Sequence, residues 1–309
     1  MKLIVTIPAY NEERSIGDVI QEIPRTIDGI DRVEVLVIND GSTDNTVEVA
    51  RKAGADHIIS HKRNLGLAKA FRDGLNAAVE LGADIIVNTD ADFQYNGTEI
   101  PNLLQPIFDG KADIVIGDRQ IDTLDHMPRG KVWGNKLATW VTRRVTGWPI
   151  RDAQTGFRAF TRDAACRMNL TGDYTYVQET LIQAANKNLT LVQVPVEFRK
   201  RDGKSRLIAS LFGYATSAGK TIARSFRDYH PIRVFTWIGI FLILAGLVVG
   251  FGVLLHYFET GMVTPHLPSA VLTTVLVIVG LQAIVFGLLA DMLKTQRMLS
   301  EEILYRLKK

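Results

Sequence analysis

Two long stretches without a charged residue constrain the fold of this chain more than any other feature. Residues 234–255 and 270–289 are rich in Leu, Val, Ile, Phe and Gly and contain no Asp, Glu, Lys or Arg. At ~1.5 Å of rise per residue, a helix of either length reaches ~30 Å, the thickness of the hydrocarbon core of a bilayer. A pair of buried core helices is the alternative, but core helices are usually shorter and interrupted by polar residues. The sequence therefore predicts a transmembrane hairpin.

The charges that flank the hairpin predict its orientation. The connection 256–268 contains no Lys or Arg, whereas basic residues lie beyond the other ends of both stretches, at Arg224, Arg227, Arg233, Lys294, Arg297, Arg306, Lys308 and Lys309. Basic flanks are retained in the cytoplasm. We therefore expect a cell-membrane protein whose N-terminal region and C-terminus are both cytoplasmic. The tail, 292–309, is amphipathic, and its role stays open: it lies on the membrane, or the tail or hairpin pairs two copies of the chain.

The N-terminal region alternates short apolar runs with helical patterns. Strands are predicted at 2–7, 33–38, 58–59, 85–88, 114–116 and 191–198, and helices at 15–23, 47–52, 67–81, 100–108, 162–169 and 174–183. This alternation is typical of an α/β fold with a doubly wound, mostly parallel sheet. We divide the chain into a sheet domain, amphipathic juxtamembrane helices, the hairpin and the tail, with bounds 1–205, 206–232, 233–291 and 292–309.

Composition excludes several classes of protein. The net charge of +3 over 309 residues does not indicate a nucleic-acid binder. The single cysteine, Cys166, excludes a disulfide framework and a multi-cysteine metal site, and we expect a buried structural thiol within a helix. The run after Met1 is too short for the apolar core of a signal peptide, so we expect no secretory signal.

Two carboxylates follow the strand predicted at 85–88. They are Asp90 and Asp92, and Gln94 comes two residues later. Ligands of doubly wound sheets bind beyond the carboxyl ends of the strands, and oxygen ligands suit hard divalent cations. A solvated Asp-rich turn is the alternative. The runs that stop before Tyr10 and Asp40 end at the same predicted edge, which favours a ligand site there.

Five motifs in this order resemble the family 2 inverting glycosyltransferases, and most of all their polyprenyl-phosphate branch, the dolichyl-phosphate mannose and glucose synthases. The motifs are Pro8-Ala9-Tyr10-Asn11-Glu12-Glu13, Asn39-Asp40-Gly41-Ser42-Thr43-Asp44, Asn64-x-Gly66, Asp90-Ala91-Asp92-x-Gln94 and the loop Arg201-x-Gly203-x-Ser205-Arg206. The resemblance covers residues 1–230. It implies a GT-A (Rossmann-like) fold, a nucleotide-sugar donor, Mg²⁺ or Mn²⁺ as cofactor, and transfer to a lipid phosphate with inversion at the anomeric carbon.

The resemblance also implies roles for individual residues. Those implied to bind the nucleotide sugar are Pro8, Ala9, Tyr10, Glu12, Asp40, Asp90, Ala91, Arg201 and Ser205. The metal ligands would be Asp92 and Gln94, with Asp90, and the acceptor phosphate would be held by Arg119 and Arg129. Catalysis would depend most on Asp92, Arg119 and Arg201. Where the family commonly has Lys, this chain has Arg206, which keeps the charge but changes the hydrogen-bond geometry.

The expected chemistry depends on the acceptor. A phosphate oxygen is already anionic and needs no general base, so the metal, Arg201 and Lys204 would only have to stabilise the departing diphosphate. A saccharide or lipid hydroxyl would need a base, for which Glu179 is the candidate; a structural role for Glu179 in the first turn of a helix is equally open. A third hypothesis is a non-catalytic membrane scaffold that binds nucleotide sugars. UDP-glucose and UDP-N-acetylglucosamine are favoured as donors, and GDP-mannose stays open.

Overall fold

The structure of the chain is a computed structural model that describes residues 1–124, 127–170, 176–200 and 231–308. For Arg129, within the second of these ranges, it describes the backbone alone. The chain divides into two compact units, and each is described by itself. The first comprises Met1–Ala223 together with Ile303–Lys309, and the second comprises Arg224–Glu302.

One seven-stranded sheet forms the centre of the first unit. Its strands are β1 (Lys2–Ala9), β2 (Arg32–Asn39), β3 (His57–Ser60), β4 (Ile85–Asn88), β5 (Ile114–Asp118), β6 (Arg158–Thr161) and β7 (Leu191–Pro195), in the spatial order β3-β2-β1-β4-β6-β5-β7. Strand β6 runs antiparallel to both of its neighbours, and the other pairs are parallel. The predicted doubly wound, mostly parallel α/β sheet is therefore confirmed, with one reversed strand.

Helices cover both faces of the sheet. They are α1 (Ile16–Glu22), α2 (Thr46–Lys52), α3 (Leu67–Glu80), α4 (Ile100–Phe108), α5 (Arg129–Thr146), α6 (Arg162–Arg167) and α7 (Tyr176–Asn186), with short 3₁₀ helices at Gly97–Glu99 and Ile121–Thr123. Alternate residues of β1 point to opposite faces. Leu3 and Val5 pack with α1, α2 and α4, whereas Ile4 packs with α3, α6 and α7. This burial on both faces explains why the strands read as continuous apolar runs.

The end of the chain packs within the first unit. The Tyr305 hydroxyl donates to Asp163, and the guanidinium of Arg167 lies 4.9 Å from the centre of the Tyr305 ring. Lys308 donates to Asn76 at 3.0 Å. These contacts lie beside Cys166, which is buried in α6 as the sequence predicted.

The second unit contains two long helices, α8 (Pro231–Thr260) and α9 (Leu267–Lys308, whose last residues belong to the first unit). Both are long and apolar enough to cross a membrane, and they contain the two predicted stretches. Only 17% and 11% of their most apolar windows are buried. Helices of a soluble core would be mostly buried, so the exposed apolar surface favours a membrane hairpin. Its cytoplasmic orientation stays a prediction.

Candidate active site

Three parallel strands bring their polar ends to one edge of the sheet. Ala9 at the end of β1 pairs with Asn39 at the end of β2, and Thr6 pairs with Asn88 at the end of β4. The segments that follow these strands therefore start side by side. They carry Tyr10, Asp40 and Asp90, as the sequence predicted, and the edge is where doubly wound sheets bind their ligands.

The loop after β1 is fastened to its neighbours. The backbone N–H of Asn11 donates to Ser42 at 2.9 Å, and that of Glu12 donates to Thr46 at 2.9 Å. Ser15 bridges two parts of the edge, since its hydroxyl donates to the Ala91 carbonyl at 2.7 Å and to the Glu12 carboxylate at 3.2 Å. Pro8, Ala9 and Ala91 are buried within this framework, and Tyr10 is exposed. The loop is thus held in one arrangement with the Tyr10 ring facing outward.

Asp40 is buried and held by the segment after β3. One of its carboxylate oxygens accepts the N–H of Leu65 at 2.9 Å, and the other accepts that of Gly66 at 2.8 Å. The imidazole Nδ1 of His61 lies 2.7 Å from Asp40, and its Nε2 lies 3.0 Å from Asp73. His61 thus links Asp40 to helix α3. Sequence reasoning missed His61, although its position just before the Asn64-x-Gly66 motif was a signal.

The carboxylates after β4 lie on a sharply turned backbone. Asp90 and Asp92 are half-buried, and Phe93 has a positive φ of 61°. The N–H of Gln94 donates to Asp92 at 3.3 Å. The Gln94 side chain donates through Nε2 to the Arg199 carbonyl at 3.1 Å, which fixes the plane of its amide. The turn therefore presents two carboxylates and an oriented amide at the strand end.

These oxygen donors fit a hard divalent cation. Within the described residues, no group of three or more His, Cys, Asp and Glu side chains forms a cage for a metal ion. Mg²⁺ is usually held by one or two carboxylates together with substrate phosphates and water. Asp90, Asp92 and the side-chain oxygen of Gln94 are donors of the kind that such an incomplete set uses.

A polar layer lies beneath Asp90. A Cβ atom placed on Gly156 would come within 2.6 Å of the Asp90 carboxylate, so this carboxylate rests directly on the Gly156 backbone. The Gly156 N–H donates to the phenolic oxygen of Tyr95 at 2.9 Å. Burial raises the pKa of Tyr95 to about 12, so the phenol stays protonated at neutral pH. Tyr95 therefore acts as a neutral support for the backbone under Asp90.

Arg119 belongs to the same layer and forms a bidentate ion pair with Asp152. Its Nε and Nη2 donate to the two oxygens of Asp152 at 2.6 and 2.9 Å, and both side chains are buried. Burial works against the Arg119 charge, but the negative charges of Asp152 and Asp90 and the hydrogen bond to Asp152 raise the pKa of Arg119 above its ordinary value. The guanidinium also lies 5.1 Å from the centre of the Phe198 ring. The role of Arg119 in binding an acceptor phosphate stays a prediction.

A second buried arginine, Arg158 of β6, stabilises the backbone of the layer. It donates to the carbonyl oxygens of Thr155, Val177 and Ala153 at 2.9–3.3 Å. Burial lowers the pKa of Arg158 below its ordinary value. Sequence reasoning missed Tyr95, Asp152 and Arg158, because nothing in their spacing indicates that they belong to one polar layer.

The remaining predicted site residues are Arg129, Glu179, Arg201 and Ser205. Arg201 and Ser205 lie outside the described residues, as does the side chain of Arg129. Glu179 is buried in the first turn of α7, where it accepts a hydrogen bond from Gln183 at 3.2 Å. That bond is compatible with either role considered for Glu179.

Comparisons with known proteins bear on the fold and the family of the chain. At the level of fold, the chain is similar to the crystal structure of glucosyl-3-phosphoglycerate synthase from Mycobacterium tuberculosis in complex with Mn²⁺, UDP and phosphoglyceric acid. The TM-score is 0.58 at 21% sequence identity, over 74% of this chain and 78% of that one. A GT-A-type neighbour thus shares the arrangement of the sheet.

Two relatives are similar in sequence. The dolichyl-phosphate hexose transferase of Haloferax volcanii is 34% identical over 72% of this chain and 92% of its own length. The UDP-N-acetylglucosamine–dolichyl-phosphate N-acetylglucosaminyltransferase of Methanococcus voltae is 30% identical over 63% of this chain and 85% of its own. The family model for glycosyl transferase family 2 matches residues 4–167, which include the strand ends and carboxylates described above. The chain belongs to glycosyl transferase family 2.

Proposed function

We propose that this enzyme transfers a sugar from a nucleotide sugar to the phosphate of a polyprenyl phosphate at a membrane surface. The observation that carries the proposal is the placement of Asp90, Asp92 and Gln94 beside the Asp40 segment at one edge of the sheet. The same chain has two apolar helices of membrane length. The names of the two sequence relatives, both dolichyl-phosphate transferases, support this acceptor class.

The donor would lie across the strand ends. Asp40 is rigidly held and can accept a hydrogen bond from the nucleotide, with Pro8, Tyr10 and Glu12 on the neighbouring loop. Asp90, Asp92 and Gln94 would hold a Mg²⁺ or Mn²⁺ ion, which neutralises charge on the diphosphate when bound. The solved neighbour that binds Mn²⁺ and UDP supports a metal and a uridine nucleotide. We favour UDP-glucose or UDP-N-acetylglucosamine as donor over GDP-mannose.

The acceptor explains why the site needs no dedicated base. An oxygen of the lipid phosphate is already anionic and forms the new bond to the anomeric carbon. The bond from that carbon to the diphosphate oxygen breaks, and its electron pair leaves with the nucleoside diphosphate. Attack from the face opposite the leaving group inverts the anomeric configuration. Arg119 and Arg129 would orient the acceptor, while Arg201 and Ser205 would cover the diphosphate.

The membrane hairpin keeps the enzyme where its acceptor is. A polyprenyl phosphate leaves its chain in the bilayer and its phosphate at the interface, so only an enzyme held at that surface meets it repeatedly. We place the catalytic unit and the C-terminus on the cytoplasmic side, following the basic residues that flank the hairpin.

A donor and acceptor panel tests the proposal. The full chain in lipid nanodiscs is incubated with Mg²⁺ or Mn²⁺ and with labelled UDP-glucose, UDP-N-acetylglucosamine or GDP-mannose, each with undecaprenyl or dolichyl phosphate. We expect one donor to give a labelled lipid and an equal amount of free nucleoside diphosphate. The Asp92→Asn variant should stay folded and lose this product.

Two results would count against the proposal. If no donor yields a lipid-linked product, the acceptor assignment is wrong. If turnover requires a saccharide or lipid hydroxyl and Glu179→Gln abolishes it while donor binding persists, Glu179 is a general base and the hydroxyl mechanism replaces the phosphate one.

A further inference from the structure

The outer face of helix α5 carries an apolar stripe that the described residues of the first unit leave exposed. Trp133, Leu137 and Trp140 have exposed fractions of 68%, 43% and 54%. Their spacing of four and three residues places them on one side of the helix, together with Arg144. We call these four residues the α5 stripe. Large aromatic side chains exposed in a row are unusual on a soluble surface and indicate an interaction site.

The stripe is not the result of a loosely attached helix. The opposite face of α5 packs against α7 and is buried at Ala138, Thr139 and Thr142. The Thr139 hydroxyl accepts the Ala153 N–H at 3.2 Å, and the Thr142 hydroxyl donates to the Ala138 carbonyl at 2.8 Å. The helix is therefore held by one face, and the other face is left to solvent or to a partner.

The charge on α5 has a single sign. The helix contains no Asp or Glu, and its basic residues are Arg129, Lys131, Lys136, Arg143 and Arg144. The Arg144 guanidinium lies 5.5 Å from the centre of the Trp140 ring. Lys136 forms an exposed ion pair with Asp122, and Arg143 donates to the Ile150 carbonyl. Exposed indole rings on a helix whose charged residues are all basic suit the headgroup level of an anionic bilayer, where the ring is half-desolvated and the cations meet lipid phosphate.

We propose that the α5 stripe docks on the surface of an anionic lipid bilayer. The inference rests on the membrane anchoring in the proposed function but not on the acceptor. Charge favours a bilayer over a second copy of α5 as the partner of the stripe. Two copies of α5 would repel each other, because all charged residues of the helix are basic. The same chain also carries two helices that are long and apolar enough to cross a membrane.

Tryptophan fluorescence tests the docking directly. The chain has four tryptophans, Trp133, Trp140, Trp148 and Trp237. Full-chain variants that retain one tryptophan, with Phe at the other three positions, are placed singly in nanodiscs of phosphatidylcholine with about 30% phosphatidylglycerol. Trp133 or Trp140 alone should be quenched by brominated lipid and shielded from acrylamide. Trp148, which packs against the core, serves as the control and should not respond to brominated lipid.

Each contrary outcome has a definite meaning. If Trp133 and Trp140 are open to acrylamide and unaffected by brominated lipid, the proposal is wrong. If their shielding appears only in discs that hold two chains, the stripe joins copies of the protein and the bilayer is not its partner. The double charge reversal Lys136→Glu with Arg144→Glu should weaken quenching in anionic discs much more than in pure phosphatidylcholine.

An activity measurement separates this proposal from the proposed function. We expect Trp133→Ser with Trp140→Ser to raise the apparent KM for polyprenyl phosphate several-fold in anionic nanodiscs. The same variant in detergent should use a short-chain polyprenyl phosphate like the parent enzyme. Because the quenching experiment requires no turnover, docking can be demonstrated even if the acceptor is a different molecule. Equal KM values in anionic nanodiscs would contradict a role for docking in acceptor use.

Discussion

The carboxylate of Asp90 rests on the backbone of Gly156. A Cβ atom at position 156 would lie 2.6 Å from Oδ2 and 2.8 Å from Oδ1 of Asp90, closer than any real Cβ contact. Gly156 lies two residues before the antiparallel strand β6 and donates its N–H to Tyr95. The position of Asp90, which we propose as a ligand of the metal and the donor, therefore depends on the absence of a side chain at position 156, in a different segment of the chain.

Gly156→Ala should displace Asp90 and impair catalysis. A misplacement of about 1 Å at a reacting centre can cost on the order of 10²-fold in rate, and overpacking costs about 1–3 kcal/mol of stability. Steady-state kinetics at varied metal concentration, with thermal denaturation, measure both effects. The control is Gly134→Ala in α5, where an added Cβ meets nothing within 4 Å. Unchanged activity and metal dependence in Gly156→Ala would contradict this view of Asp90.

Asp152→Ala should destabilise the catalytic unit because it leaves the Arg119 guanidinium buried without its carboxylate. Removal of one partner from a buried ion pair costs about 3–5 kcal/mol. Asp122→Ala removes an exposed ion pair with Lys136 and should cost less than about 1 kcal/mol. Denaturant unfolding of both variants gives the comparison. Similar losses for the two variants would mean that the Arg119 pair contributes no more than a surface pair.

His61→Asn should weaken donor binding more than it slows turnover. His61 contacts Asp40 through Nδ1 and is itself held by Asp73, so its loss leaves the Asp40 carboxylate with only the N–H groups of Leu65 and Gly66 to position it. We expect the KM for the nucleotide sugar to rise on the order of tenfold, equivalent to about 1.4 kcal/mol, with a smaller change in kcat. His57→Gln is the matched control, because His57, at the start of β3, contacts Glu34 of β2 and not Asp40. A fall in kcat at constant KM would remove His61 from the donor site.

Glu34 should make stability depend on pH. Burial opposes its ionisation, but hydrogen bonds from Lys2 and His57 and the nearby charges of Lys2 and Arg32 outweigh burial and hold its pKa below the usual 4.5. A carboxyl group with a lowered folded pKa stabilises the fold above its unfolded pKa, and this contribution is lost as the pH falls through the folded value.

The wild-type protein should therefore exceed Glu34→Gln in stability at pH 7, and the difference should shrink below about pH 4.5. Denaturant midpoints measured across this range test the expectation. Glu48→Gln, on the exposed side of α2, reports the general effect of losing a negative charge. A difference between wild type and Glu34→Gln that persists unchanged at acidic pH would contradict it.

Local sequence predicted the strands that converge on the site. The apolar runs of β1, β2 and β4 are buried on both faces, so they stand out as uninterrupted hydrophobic segments that stop just before Tyr10, Asp40 and Asp90. Because the carboxyl ends of parallel strands meet at the same edge of the sheet, these residues come together there. The membrane-length helices were predictable for a similar reason, because their apolar character needs no tertiary information.

Features that depend on tertiary contacts were not predictable. Strand β6 begins with the fully buried Arg158, a residue type that strand propensity does not favour, and one of its carbonyl partners, Val177, lies in helix α7. Helix α5 carries Trp133 and Trp140 on its exposed face, so its apolar residues do not mark a buried side. The link from His61 to Asp40 joins segments that no local pattern connects.

Gly280→Leu should separate the two membrane-length helices. A Cβ on Gly239 of α8 would come within 2.6 Å of the Gly280 carbonyl oxygen, and a Cβ on Gly280 of α9 would lie 2.8 Å from the Gly239 oxygen. Small residues allow such close backbone packing, and overpacking costs about 1–3 kcal/mol. The full chain in detergent should therefore lose its monodisperse elution at a lower temperature. Gly252→Leu, where an added Cβ meets nothing within 4 Å, is the control. Equal behaviour of the two variants would show that this close packing does not stabilise the hairpin.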